Sequence, residues 1–123
     1  MSDKALIIDE DAQELAVLRA RLDQDGFTVA AVDDGKEALR TAYNFRPDVI
    51  ILDIAMKEAD GWLVCRRLRY MSDVPIIVLS AREDEEDVIR ALSLGADEYL
   101  TKPRSPQEVK ARVRAILRRA KMS

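Results

Sequence analysis

Five short runs of β-branched and other apolar residues alternate with longer stretches that carry a helical apolar period, and this alternation leaves few folds open. The runs are Leu6-Ile7-Ile8, Thr28-Val29-Ala30, Val49-Ile50-Ile51-Leu52, Ile76-Ile77-Val78-Leu79 and Tyr99-Leu100-Thr101. Between them, Leu15, Leu18 and Leu22 form one apolar stripe, Val64, Cys65 and Leu68 a second, and Val88, Ile89 and Leu92 a third. Val109, Val113, Ile116, Leu117 and Ala120 form the last. These spacings predict helices. Asp11-Ala12-Gln13-Glu14, Asp34-Gly35-Lys36-Glu37 and Ser105-Pro106-Gln107-Glu108 read as capping boxes, and Gly26 and Gly95 stand where helices should stop. Strands alternating with helices imply a parallel sheet covered on both faces. The third and fourth runs are the most continuously apolar, as buried central strands should be. Right-handed crossovers make a doubly wound α/β sheet with five helices the economical topology. No repeat or linker interrupts the 123 residues, so residues 1–123 read as one domain.

Composition narrows the chemistry. Histidine is absent, which removes imidazole bases, serine or cysteine nucleophiles activated by histidine, and histidine-containing zinc sites. Cys65 is the single cysteine, so no intrachain disulfide or CxxC pair exists. No signal peptide precedes the first apolar run and no run approaches a membrane span, so a cytoplasmic protein without a membrane partner is expected. Net charge is −3, but residues 102–123 carry +7 and the rest −10. The basic tail reads as a solvated helix face rather than a nucleic-acid patch.

In a doubly wound sheet, functional residues collect beyond the carboxyl ends of the strands. The first run ends in Asp9-Glu10, the third in Asp53, the fourth in Ser80-Ala81 and the fifth in Lys102-Pro103. Asp11 reads as a helix cap, but a carboxylate closing so apolar a run as Asp53 does needs a partner. Clustered acids without His or Cys suit Mg²⁺, or Mn²⁺, as a counter-cation. A carboxylate beside such an ion, with an ammonium and a hydroxyl at hand, is equipped to receive a phosphoryl group. No glycine-rich nucleotide loop is present.

These landmarks, with Pro47-Asp48 before the third run, Asp60-Gly61 after it, and Gly95-Ala96-Asp97-Glu98 before the fifth, resemble the response-regulator receiver domain of two-component systems. The likeness runs from about Lys4 to Arg119. It implies a flavodoxin-like sheet of order 2-1-3-4-5 and phosphorylation of Asp53 by a partner sensor histidine kinase. It further implies Mg²⁺ held by Asp9, Glu10, Asp53 and the backbone carbonyl of Ala55, with Ser80 and Lys102 contacting the phosphoryl group. Ser80 and Tyr99 would form the switch, and the Lys102-Pro103 bond would be cis. The segment Ala111–Arg119 resembles the last receiver helix of winged-helix transcription factors. DNA would then be reached only through an effector domain absent from this chain.

Three positions depart from the family pattern: Glu10 stands where Asp is usual, Lys57 where Pro is common, and Arg104 where Phe is frequent. Glu10 is one methylene longer than Asp and is expected to meet Mg²⁺ through a retained water. A homodimer on phosphorylation is expected through the fourth helix, fifth strand and fifth helix. That face would combine Leu92 and Val113 with Asp97, Glu98, Glu108, Arg112, Arg114 and Arg119; Val88 and Ser93 there replace residues that often pair. Two other functions compete: a receiver-like module that binds partners without phosphorylation, and a Mg²⁺-dependent phosphohydrolase. Ala55, where a hydrolase would place a second Asp, argues against the latter.

Overall fold

A computed structural model describes residues 2–122. In chain order the elements are β1 (Lys4–Ile8), α1 (Ala12–Gln24), β2 (Thr28–Val32), α2 (Gly35–Phe45) and β3 (Val49–Leu52). There follow α3 (Gly61–Met71), β4 (Ile76–Ser80), α4 (Glu85–Leu94), β5 (Glu98–Thr101) and α5 (Pro106–Met122). All strand pairs are parallel, in the order β2-β1-β3-β4-β5. Alternate residues of each strand feed opposite faces. Ala5, Ile7, Val49, Ile51, Ile77 and Leu79 pack with Leu18 and Leu22 of α1 and Val109, Val113, Ile116 and Leu117 of α5. Leu6, Ile8, Ile50, Leu52, Ile76 and Val78 pack with Ala38 of α2, Val64, Cys65 and Leu68 of α3, and Ala91 of α4. β3 and β4 are buried throughout, which is why their sequences lack alternation.

Of the two apolar residues expected on an interaction face, Leu92 is exposed and Val113 is not. In α4 only Ala91 is buried; Ile89 and Leu92 stand outside at 55% and 45% exposure. Ala91 packs into the sheet-facing core, Val88 is half-buried, and Ile89 and Leu92 turn outward. Val113, expected on an interaction face, is fully buried beneath α5.

The capping boxes form by half. Asp11, Asp34 and Ser105 accept amide hydrogen bonds from the first turns of α1, α2 and α5. Their glutamates pair with cations instead: Glu14 with Lys102, Glu37 with Arg40, Glu108 with Arg104. A charged partner is the stronger attraction. The basic tail likewise meets the acidic body, through Lys110–Asp25 and Lys121–Asp3 pairs and Arg114 stacked on Phe27.

Candidate functional site

The parallel ladder runs one residue past several strands and delivers the rim side chains. Asp9 N–H donates to the Val32 carbonyl (3.1 Å), Asp53 N–H to that of Ile8 (2.9 Å) and Lys102 N–H to that of Ser80 (2.8 Å). The Lys102-Pro103 bond is cis, as expected. A Cβ on Gly61 would lie 2.2 Å from the Ile54 carbonyl oxygen, so α3 can begin hard against the end of β3 only with glycine there.

Asp9, Asp53 and Lys102 converge. The Lys102 Nζ donates to Asp9 Oδ2 and Asp53 Oδ2, both at 3.2 Å, and also to the Glu14 carboxylate. The second oxygen of each aspartate is fixed by a local amide: Asp11 N–H on Asp9 Oδ1 and Ala55 N–H on Asp53 Oδ1, both at 2.9 Å. Both carboxylates are thereby held on each side. Burial raises the Asp9 pKa to about 6, with the Asp11 amide and Lys102 opposing and Asp53 adding to the rise. Burial works against the Lys102 ammonium, but the Glu14 hydrogen bond and the charges of Asp53 and Asp9 outweigh it and lift its pKa.

Ser80 is fully buried at the end of β4, its hydroxyl accepting from Arg82 N–H at 3.1 Å. The Tyr99 hydroxyl donates to the Arg82 carbonyl at 2.7 Å. Ser80 and Tyr99 thus grip the two ends of one peptide segment in the β4–α4 loop. Burial raises the Tyr99 phenol's pKa, with the Ser80 hydroxyl pulling the other way.

Glu10 departs from expectation. Its carboxylate lies on the β3–α3 loop, accepting from the N–H groups of Lys57, Glu58 and Ala59. Glu14 occupies the place in the cluster that the sequence reading assigned to Glu10: oxygens of Asp9, Glu14 and Asp53 all lie within 4.8 Å of one another. This all-oxygen donor set fits a hard divalent cation such as Mg²⁺ and lacks the nitrogen or sulfur that zinc prefers. Glu14 was readable only as a helix-cap residue; its position one turn into α1, facing the crevice, depends on the fold. Arg82 and the loop amides act through their backbones, which leave no mark in residue type.

The expected interaction face is partly engaged within the chain. Asp97 pairs with Arg69 (2.6 Å), Glu98 with Arg112 and Arg119 (3.4 and 3.5 Å), and Glu108 with Arg104. Leu92 is exposed.

Residues 5–114 match the family described as the response regulator receiver domain. The chain is 49% identical over 117 residues to a probable transcriptional regulator, ycf27, of Guillardia theta, covering 95% of this chain and 46% of that protein. It is 42% identical to the alkaline phosphatase synthesis transcriptional regulatory protein PhoP of Bacillus subtilis, covering all of this chain and 52% of that protein. A crystal structure of a two-component response regulator from Clostridium difficile superposes with a TM-score of 0.92 at 31% identity, over 97% of this chain and 98% of the other. The chain spans about half the length of the curated relatives it matches.

Proposed function

The chain belongs to the response regulator receiver domain family of two-component signalling, and from that premise we propose that Asp53 is its phosphoacceptor. The observation that carries this reading is the position of Lys102 Nζ, 3.2 Å from both Asp53 Oδ2 and Asp9 Oδ2 beside the buried Ser80. An Asp53 oxygen attacks the phosphorus of a phosphohistidine on the partner kinase. The new O–P bond forms as the P–N bond breaks, and the imidazole leaves. Lys102 is already oriented toward the oxygen that becomes the acyl phosphate and offers an ammonium to the phosphoryl oxygens. The Ser80 hydroxyl, one strand away, supplies a donor to another of them. Asp9, Glu14 and Asp53, with the Ala55 carbonyl, would hold Mg²⁺ (or Mn²⁺), which supplies charge neutralisation at the phosphoryl oxygens when bound.

Phosphorylation adds about −1.5 to −2 charges beside Lys102. Drawing the Ser80 hydroxyl toward that charge would release Arg82 N–H, and the same loop segment is held by Tyr99. The rearrangement reaches the α4–β5–α5 face, through which an effector domain acting on DNA, or a second copy of the chain, would respond. The reading as a module that works without phosphorylation is not favoured, because the chain matches the receiver family and keeps Asp53, Lys102 and Ser80 at the ends of its strands.

Asp53→Asn tests the assignment. Acid-labile phosphate from a small-molecule phosphoryl donor with Mg²⁺ should be incorporated into the wild type and not into the variant, with the circular dichroism spectrum unchanged. Undiminished incorporation in the variant would reject Asp53.

A further inference from the structure

Glu10 Oε1 accepts from Lys57 N–H at 2.5 Å and Glu58 N–H at 3.2 Å, and Oε2 accepts from Glu58 N–H at 3.0 Å and Ala59 N–H at 3.1 Å. Three consecutive amides therefore converge on one carboxylate, a backbone concavity suited to an anion. We propose that Glu10 is a positioning residue that clamps the β3–α3 loop, and that it is not a ligand of the metal held by its neighbours. The second half of this proposal rests on the Mg²⁺ site described above; the clamp itself does not.

Both Glu10 oxygens are committed, so direct coordination would require giving up charge-assisted bonds to three amides. The loop is also braced from its far side: a Cβ on Gly35 would lie 2.4 Å from Ala59 Cβ, so the first residue of α2 rests directly on the clamped segment. Ala59 is thus caught between Glu10 and α2, and the turn that carries Ala55 and Asp60 is closed at both ends. An aspartate at position 10 is one methylene too short to make the same reach from the end of β1. A proline at position 57 has no N–H and would delete the shortest of the bonds. The two departures, Glu10 and Lys57, are one feature: the longer acid needs an amide at 57, and the amide gives the acid its place.

Amide hydrogen exchange in chelator, followed by Mg²⁺ titration read through Trp62 fluorescence, tests the proposal on the intact chain. In Glu10→Ala, exchange at Lys57, Glu58 and Ala59 should accelerate by about tenfold or more, while Ile51 and Ile77 keep wild-type protection as a control on folding. Mg²⁺ affinity of that variant should stay within about twofold of wild type. Glu10→Gln keeps one acceptor oxygen and should accelerate exchange less. Lys57→Pro should loosen Glu58 and Ala59 with Glu10 intact. Glu10→Asp should lose the same protection and bind Mg²⁺ more tightly. Unchanged exchange at the three amides of Glu10→Ala would overturn the clamp, and Mg²⁺ binding weakened about tenfold would restore Glu10 as a ligand. Failure of the wild type to bind Mg²⁺ would instead strike the metal site, with the exchange comparison still deciding the clamp.

Discussion

Asp9 carries the clearest conflict between fold and function among the single residues. Its pKa rises from 3.8 to about 6, chiefly because burial disfavours the carboxylate. The folded state therefore binds more protons than the unfolded state between those values, and stability falls as pH rises through that window. Above about pH 6 the full penalty is present, at most about 3 kcal/mol for a shift of this size. Asp9→Asn, denatured in chelator, is accordingly expected to be about 1–3 kcal/mol more stable than wild type near pH 7. The gain should vanish as pH falls below about 4. Lys102 does not reverse the sign, because Asp53 and Glu14 still face it when position 9 is neutral. A variant no more stable than wild type at pH 7 would contradict the burial argument. Asp9, Asp53, Ser80 and Lys102 were legible in the sequence because each terminates an apolar run, and the end of a parallel strand has a known destination. Glu10 and Glu14 were not, because residue type and spacing do not reveal which way a flexible carboxylate turns or which loop amides approach it.

Among the elements, α4 is the least anchored helix. It buries Ala91 alone, its N-cap Asp84 makes no side-chain cap bond, and its acidic first turn of Glu85, Glu86 and Asp87 leans on the helix dipole and on a 3.8 Å pair between Asp87 and the exposed Arg82. By comparison, α3 buries Gly61, Val64, Cys65 and Leu68 and is capped by Asp60. Its last turn is tied down by Arg69, which reaches the carbonyls of Gly95 and Ser72 and the Asp97 carboxylate. Local opening follows buried apolar area and cap bonds. Amides in the middle of α4 should therefore exchange faster than those of α3 and α5, and phosphorylation should change α4 exchange most. Slower exchange in α4 than in α3 would refute this ordering. Existence and order of the elements could be read from periodicity, and so could the two-sided burial of β3 and β4. The facing of α4 could be read only in part: Leu92 stands outside as expected, but the stripe of Val88, Ile89 and Leu92 does not reveal that Ala91 is the residue that meets the sheet. Propensity and pattern describe a helix, and only packing assigns its outward side.

At the scale of the whole molecule, that outward side is expected to serve as an interaction surface. Ile89 and Leu92 are the exposed apolar residues of α4, and beside them Glu98 of β5 holds Arg112 and Arg119 of α5. Those arginines are themselves half or more exposed, so their pairs with Glu98 are weak, on the order of 0–1 kcal/mol each, and open to exchange with a second copy. A two-fold contact would place the apolar pair of one protomer on that of its partner and offer each Glu98 a foreign arginine, an arrangement that is self-complementary in shape and charge. Val113 takes no part, because it is sealed in the core; altering it would act through stability instead. Area burial should dominate over the ion pairs, so the apolar residue is the sensitive position. Sedimentation equilibrium should find monomers of the unmodified chain and dimers with Mg²⁺ and a beryllofluoride phosphoryl mimic. Leu92→Asp should keep the activated chain monomeric. Arg119→Glu should weaken the dimer by a smaller factor, and added salt should erase most of that difference by screening the exposed charges. Monomers in both states, or a Leu92→Asp variant that still dimerises, would remove this face from the assembly.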